Sequence, residues 1–233
     1  MKRFYKIVDI APAPGGYAVL LDGKPVRTPA RNALVLPTQE LARAIAAEWR
    51  GQGDTVNATS MPLLRLANTV IDGVAANRES VITAILRFGD NDLLCYRAHQ
   101  PPDLAARQRE AWDPMLDWAR QRLGAHLTVA DGLTHVDQTP DAIAALREAL
   151  AVHDAFTLGA LHVVASITGS VVLALAVAER RLTGAAAFEF SRIDEAYQAE
   201  KWGADAEAVK RTTNLAHELD KAVELIDTLR AEA

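Results

Sequence analysis

The residues of this chain best suited to chemistry lie close together in the segment IDEAYQAEKWG, residues 193–203. If the segment is a helix, residues three and four apart share a side, which gives Asp194, Glu195, Gln198 and Trp202 one broad polar face. The two neighbouring acids then point about 100° apart and do not converge on one reacting atom, as acid/base catalysis requires. The face is either a solvated helix surface or a docking surface in which the tryptophan anchors a partner inside a polar rim.

The other patterns typical of catalysis or metal binding are missing from the sequence. The six histidines have no HxxxH, HExxH or CxxC partner, so zinc binding has no support. The TGS at 168–170 lacks the GxSxG frame of a serine nucleophile. We therefore expect no enzyme activity, no catalytic residue, no metal and no cofactor. The alternative is a hydrolase or transferase with a carboxylate site around Asp194 and Glu195.

The composition is that of a folded protein. Half of the 233 residues are apolar and 24% are charged. A net charge of −5 without an evident basic cluster argues against nucleic acid as a partner. The single cysteine, Cys95, excludes an intramolecular disulfide and is typical of a reducing compartment. The N-terminal MKRFYKIVDI shows no signal- or transit-peptide pattern, so we expect an intracellular protein.

The hydrophobic period changes along the chain. The first sixty residues contain short β-rich runs with a loop at APAPGG and a hairpin signal at Asp22-Gly23. Within the same sixty residues, a helix follows the last β-rich run; it begins after Thr38 and ends at Gly51 or Gly53. From Met61 onward the apolar residues recur with helical spacing. We predict an α+β fold, with a small β-rich N-terminal domain, residues 1–58, followed by a larger α-helical domain, residues 59–233.

Several boundaries within the helical part are predicted by glycine and proline. Gly73 is expected to end one helix, Asp113-Pro114 to break or kink another, and Gly124 to close the second piece. A small hairpin is expected around Asp131-Gly132. Further helices are predicted at 139–152, 156–179, 184–202 and 205–230.

The segment from Ala155 to Ala178 is uncharged and long enough to span a membrane. It also contains serine, threonine and histidine, and amphipathic helices that need an apolar partner flank it. We therefore predict a central buried helix and no stable membrane insertion.

The order of several motifs resembles the ATP synthase assembly chaperones of the Atp-twelve type. These motifs are FYK, LDGKPVRTPARNAL, PTQELARAIAAEW, MPLLRLANTVIDGV, DLLCYRA, WDPMLDWA, GSVVLALA and DEAYQAEKWG. The resemblance covers nearly the whole chain, and the second and the last motif are too long for chance similarity.

The resemblance implies a non-catalytic chaperone that binds the free α subunit of the catalytic F-one sector and covers the surface that later packs against the β subunit. It places the functional acid of the family at Glu195, with Asp194 beside it. Gln198 and Trp202 are then further candidate contacts to the client. The family occurs in mitochondria and in some bacteria, so a chain without a transit peptide is expected in the bacterial cytoplasm, its eukaryotic relatives in the mitochondrial matrix.

Overall fold

The structure, a computed structural model, describes residues 1–132 and 134–230. The chain divides into two compact units. The first holds Met1–Arg78, Ala155–Ala160 and the residues from Glu224 onward; the second holds Glu79–Asp154 and Leu161–Val223. A small antiparallel sheet near the N-terminus is followed by helices, which confirms the α+β class. The domain boundary at residue 58 stays a prediction.

The sheet is built around one strand. Strand β2 pairs antiparallel with β1, β3 and β4. Leu21 pairs with Lys24 across the predicted turn, and positive φ at Asp22 (48°) and Gly23 (78°) confirms the two-residue hairpin. β1 runs into the segment predicted as a loop, because an edge strand tolerates Pro12. The strands are β1 Val8–Ala13, β2 Gly16–Leu21, β3 Lys24–Pro25 and β4 Val35–Leu36.

Helix α1, Gln39–Arg50, packs against β1 and β2. The hydroxyl of Thr38 accepts from the backbone N–H of Leu41, as a cap should, and Gly51 follows the last helical residue. Leu41, Ile45 and Trp49, which recur every four residues, are buried, so one side of the helix is apolar and enclosed.

A single aspartate connects two of the sequence motifs within the first unit. Helix α2, Pro62–Thr69, continues into a π-helical turn, Val70–Val74, so Gly73 does not end the helix as predicted. Asp72 in this turn accepts from the Thr28 hydroxyl (2.6 Å), the Ala30 N–H (3.1 Å) and the Asn32 amide (2.9 Å). These hydrogen bonds lower the pKa of Asp72, the one from Thr28 most. Asp72 thus binds the segment RTPARN at three points.

Most of the remaining elements are helical. Two short strands pair in parallel, so the hairpin predicted around Asp131-Gly132 is wrong, and its neighbour Leu133 lies outside the described residues. The strands are β5 Tyr96–Arg97 and β6 Ala130–Asp131. Single 3-10 turns lie at Ala58–Ser60 and Leu93–Cys95. The helices are α3 Arg78–Asp90, α4 Pro102–Trp118, α5 Pro140–Ala151, α6 Ala155–Thr168, α7 Val171–Ala178, α8 Gly184–Ser191, α9 Ile193–Trp202 and α10 Ala206–Thr228.

Pro114 lies inside α4, so the helix does not break at Asp113-Pro114; the kink that was predicted as the alternative stays a prediction. Packing holds the helix together there: Trp112 and Met115 are buried, and Asp113 forms an ion pair with the buried Arg97 at 2.8 Å. The helix passes into a π-helical turn, Ala119–Leu123, and ends at Gly124 with φ 73°, as expected for a left-handed terminus.

The long apolar segment is two helices and not one. Gly169, with φ 68°, separates α6 from α7, and the hydroxyl of Ser170 caps α7 by accepting from the Leu173 N–H at 3.0 Å. All eight residues of α7 are buried. None of the helices in the described ranges combines the length and the apolar character needed to cross a membrane.

The segment predicted as one helix at 184–202 is likewise divided, here at Arg192 (φ −119°, ψ 17°). The guanidinium of Arg192 donates to the Ile167 carbonyl at 3.0 Å. The hydroxyl of Ser191 donates back to the Phe188 carbonyl at 2.8 Å. Helix α9 begins at the next residue, Ile193.

Candidate protein-binding surface on helix α9

Helix α9 packs on α4 through one buried side chain, Tyr197, which is 5% exposed. Two cations lie over its ring, Arg107 at 5.3 Å and Lys201 at 5.2 Å from the ring centroid. Its hydroxyl lies 2.9 Å from both carboxylate oxygens of Asp103 on α4. Arg107 also forms an ion pair with Glu200 at 2.8 Å. These contacts fix how α9 is rotated about its own axis.

Asp194 makes a second contact with α4. The Gln108 side chain is 1% exposed and donates from Nε2 to Oδ1 of Asp194 at 2.6 Å. Burial raises the pKa of Asp194, the hydrogen bond from Gln108 lowers it, and the nearby charge of Glu195 raises it. The acid is therefore half-buried against α4.

The opposite side of α9 faces solvent. We call Glu195, Gln198 and Trp202 the α9 surface, since all three are exposed and Trp202 is 78% exposed. Glu195 forms an ion pair with Arg192 at 2.7 Å, within its own segment. The structure thus brings three of the four predicted residues onto one exposed surface and turns Asp194 away from it.

This arrangement suits contact with a macromolecule better than bond-making chemistry. Asp194 and Glu195 each have their own partner, and the raised pKa of Asp194 results from packing against α4. Within residues 1–132 and 134–230, no group of histidine, cysteine, aspartate or glutamate side chains is placed to hold a metal ion. An exposed tryptophan beside an acid and an amide has the composition of an interface anchor with a polar rim.

Sequence reasoning missed the residues on α4 that hold α9. Asp103, Arg107 and Gln108 lie in PDLAARQREAW, which by pattern is an ordinary amphipathic helix. The spacing of Asp103 and Arg107 places them on one side of α4, but nothing local shows that the side faces another helix. That information depends on contacts some 90 residues apart.

Known proteins that resemble this chain in sequence or in fold point to one family. A family model described as ATP12 chaperone protein matches residues 2–120. Mitochondrial atp12 of Schizosaccharomyces pombe is 25% identical over 232 residues, which cover 94% of this chain and 77% of that protein. Atp12 from Paracoccus denitrificans, a crystal structure, is 40% identical over 98% of both chains, with a TM-score of 0.94.

A third relative is a candidate chaperone from Agrobacterium tumefaciens. Its sequence is 44% identical to this chain. The match to its crystal structure covers 98% of this chain and 86% of that one, with a TM-score of 0.94. Together with the fold and the exposed α9 surface, these matches define an assembly chaperone of ATP synthase, whose client is a protein. The chain belongs to the ATP12 chaperone family.

Proposed function

We propose that this chaperone binds the free α subunit of the catalytic F-one sector, and that the α9 surface contacts that client. The observation that carries the proposal is the 78% exposure of Trp202 on a helix whose other side is firmly held by α4. The client itself is inferred from the resemblance of the motifs, above all DEAYQAEKWG.

The energetics of assembly favour such a role. A subunit that waits for its neighbours in a ring exposes an apolar surface that can aggregate. A partner that covers this surface reversibly needs no nucleotide. Release follows by mass action when the β subunit binds the α subunit more tightly than the chaperone does.

Each residue of the α9 surface has a distinct expected role. Trp202 offers a large, rigid apolar area, which is typical of the few residues that dominate binding energy. Glu195 supplies the charge that orients a basic group on the client, and Gln198 lies between them as a polar contact. Asp194, the fourth predicted residue, contributes by orienting α9 through Gln108.

The proposal is tested by Glu195→Lys, with Glu148→Lys on α5 as the matched control at another exposed glutamate. Charge reversal against a basic group in a partly desolvated interface costs about 2–5 kcal/mol, roughly thirtyfold or more in affinity. The free energy of unfolding should change by only about 0.5 kcal/mol. We expect Glu195→Lys to lose suppression of α-subunit aggregation and Glu148→Lys to retain it.

Equal suppression by both variants would show that Glu195 does not contact the client. The identity of the client is tested separately, by affinity purification from a lysate at several salt concentrations followed by mass spectrometry. If the α subunit is absent from the enriched proteins under all conditions, the client assignment is wrong.

A further inference from the structure

The first unit carries a cavity of about 410 Å³ beside the β2–β3 hairpin. Its apolar lining comes from Phe4, Leu21, Pro25, Val26 and Trp49. This volume lies within the range of about 300–1,000 Å³ that is typical of ligand pockets. We refer to this cavity and its lining as the hairpin groove.

The N-terminal segment that lines the hairpin groove is held in place. The Tyr5 ring meets the Trp49 ring edge-to-face at 5.4 Å, and its hydroxyl donates to the Trp49 carbonyl at 2.7 Å. The backbone N–H groups of Lys6 and Ile7 donate to Oδ1 of Asp22 at 3.0 and 2.8 Å. These two bonds lower the pKa of Asp22. The groove is thus already formed before anything binds, which reduces the entropy cost of binding.

Apolar side chains remain exposed at the groove. Phe4 is 61% exposed and the neighbouring Ile7 is 59% exposed. Pro25, which also lines the cavity, is exposed on the two-residue strand β3. A concave apolar surface of this kind is suited to receive one large side chain from a partner.

The charges around the groove are mainly positive. Lys24 and Arg27 line it, and Lys24 makes no side-chain hydrogen bond or ion pair with the described residues. The acid of the lining, Asp22, already accepts from two backbone N–H groups. Residues 1–36 contain six lysines and arginines against two aspartates, although the whole chain has a net charge of −5. The net charge of the whole chain does not reveal this local excess of positive charge.

We propose that the hairpin groove docks an extended acidic segment of the protein client. One aromatic or branched apolar side chain of that segment enters the cavity, and its flanking carboxylates face Lys24 and Arg27. A lipid surface matches less well, because membrane binding needs a row of apolar side chains that protrude together, whereas Leu21 and Trp49, which line the cavity, are buried. The proposal rests on the chain having a protein client and is independent of the α9 surface.

The test uses three fluorescein-labelled peptides and the full-length chain, with fluorescence anisotropy as the readout. The first peptide is acidic with a central phenylalanine, the second has alanine in place of phenylalanine, and the third has lysines in place of the acids. We expect saturable binding of the first peptide, weakened by salt, and at least about tenfold weaker binding of the other two.

Variants of the chain locate the binding. Lys24→Glu combined with Arg27→Glu should weaken binding of the first peptide at least about tenfold, and Phe4→Ala should also weaken it. Lys210→Glu, at an exposed lysine of α10, is the matched control and should leave binding unchanged. If the double variant does not fold, the milder change Lys24→Ala is measured in its place. Glu195→Lys should bind the peptide normally, so that failure of the α9 proposal does not affect this result.

Several outcomes would overturn the proposal. Equal binding of all three peptides, or no effect of the changes at Lys24 and Arg27, would show that the groove does not select acidic segments. A dimer in sedimentation experiments that Phe4→Asp abolishes would assign the surface to a second copy of the chain. Binding to phosphatidylglycerol vesicles without binding of the first peptide would assign it to a membrane.

Discussion

The side chain of Gln108 donates to Asp194 over 2.6 Å while only 1% of its surface is exposed. The carbonyl oxygen of the same amide accepts from the Ala98 N–H at 2.7 Å. Gln108 thus connects α4 with α9 and with the segment that follows β5. The direction in which the α9 surface faces is therefore determined by a buried polar contact on the other side of the helix.

Gln108→Leu should lower the free energy of unfolding by about 1–3 kcal/mol, because the half-buried Ala98 N–H and Asp194 carboxylate lose their partner. Gln198→Leu, the same change on the solvent side of α9, should alter it by less than about 0.5 kcal/mol. Urea denaturation of the two variants measures the difference. Similar values for both would mean that the Gln108 contact does not stabilise the fold.

Trp202→Ala should leave the free energy of unfolding within about 0.5 kcal/mol of the parent, since the side chain is 78% exposed. Binding of the α subunit should weaken by more than about 2 kcal/mol if the tryptophan anchors the interface. Val152→Ala, at an apolar side chain that is 81% exposed, is the control and should change neither quantity. Titration calorimetry with the purified α subunit measures the affinity of both variants. An unchanged affinity of Trp202→Ala would show that Trp202 does not contact the client.

Asp92 should make stability depend on pH. Burial raises the pKa of this fully enclosed carboxyl to about 6, against opposing hydrogen bonds from Ser170 and from backbone N–H groups. The folded state therefore holds the proton more tightly than the unfolded state, whose pKa is near the ordinary 3.8. The contribution of Asp92 is complete below about pH 4 and is lost as pH rises through about 6, by about 1–3 kcal/mol.

The measurement compares the parent with Asp92→Asn, which does not titrate, by urea denaturation from pH 4 to pH 7. As pH rises, the unfolding free energy of the parent should fall relative to that of Asp92→Asn. A constant difference would show that Asp92 keeps the same protonation in the folded and unfolded states.

Gly159→Ala should destabilise the first unit by about 1–3 kcal/mol, because the added Cβ would lie 2.5 Å from Cγ2 of the buried Val70. The β-branched valine has little rotamer freedom to move away. Gly73→Ala is the control: no atom lies within 4 Å of its Cβ position, so the substitution should be neutral or stabilising by up to about 1 kcal/mol. Thermal unfolding of both variants should therefore give shifts of opposite sign or very different size.

The sequence by itself determined the features that depend on a few neighbouring residues. The Asp22-Gly23 turn, the Thr38 cap of α1 and the terminus at Gly124 follow from backbone preferences that act within one turn of chain. The change of hydrophobic period near Met61 was sufficient for the α+β class, since a strand and a helix need different spacings to bury one face. Long shared motifs were sufficient for the family.

Where local sequence preferences compete with packing, only the tertiary structure decided whether a helix continues or breaks. Pro114 remains inside a helix because Trp112, Met115 and the Arg97–Asp113 ion pair hold α4 together. The uncharged segment at 155–178, conversely, breaks at Gly169, where Ser170 can begin a new helix.

The two acids of the candidate site illustrate the same limit. By helical spacing, Asp194 and Glu195 belong to one polar face, and no local property distinguishes them. Asp194 is half-buried and hydrogen-bonded to Gln108, a partner 86 residues earlier in the chain, and Glu195 is left facing solvent. A contact over that separation forms only when α4 and α9 pack together, so the composition of the α9 surface is a property of the folded chain.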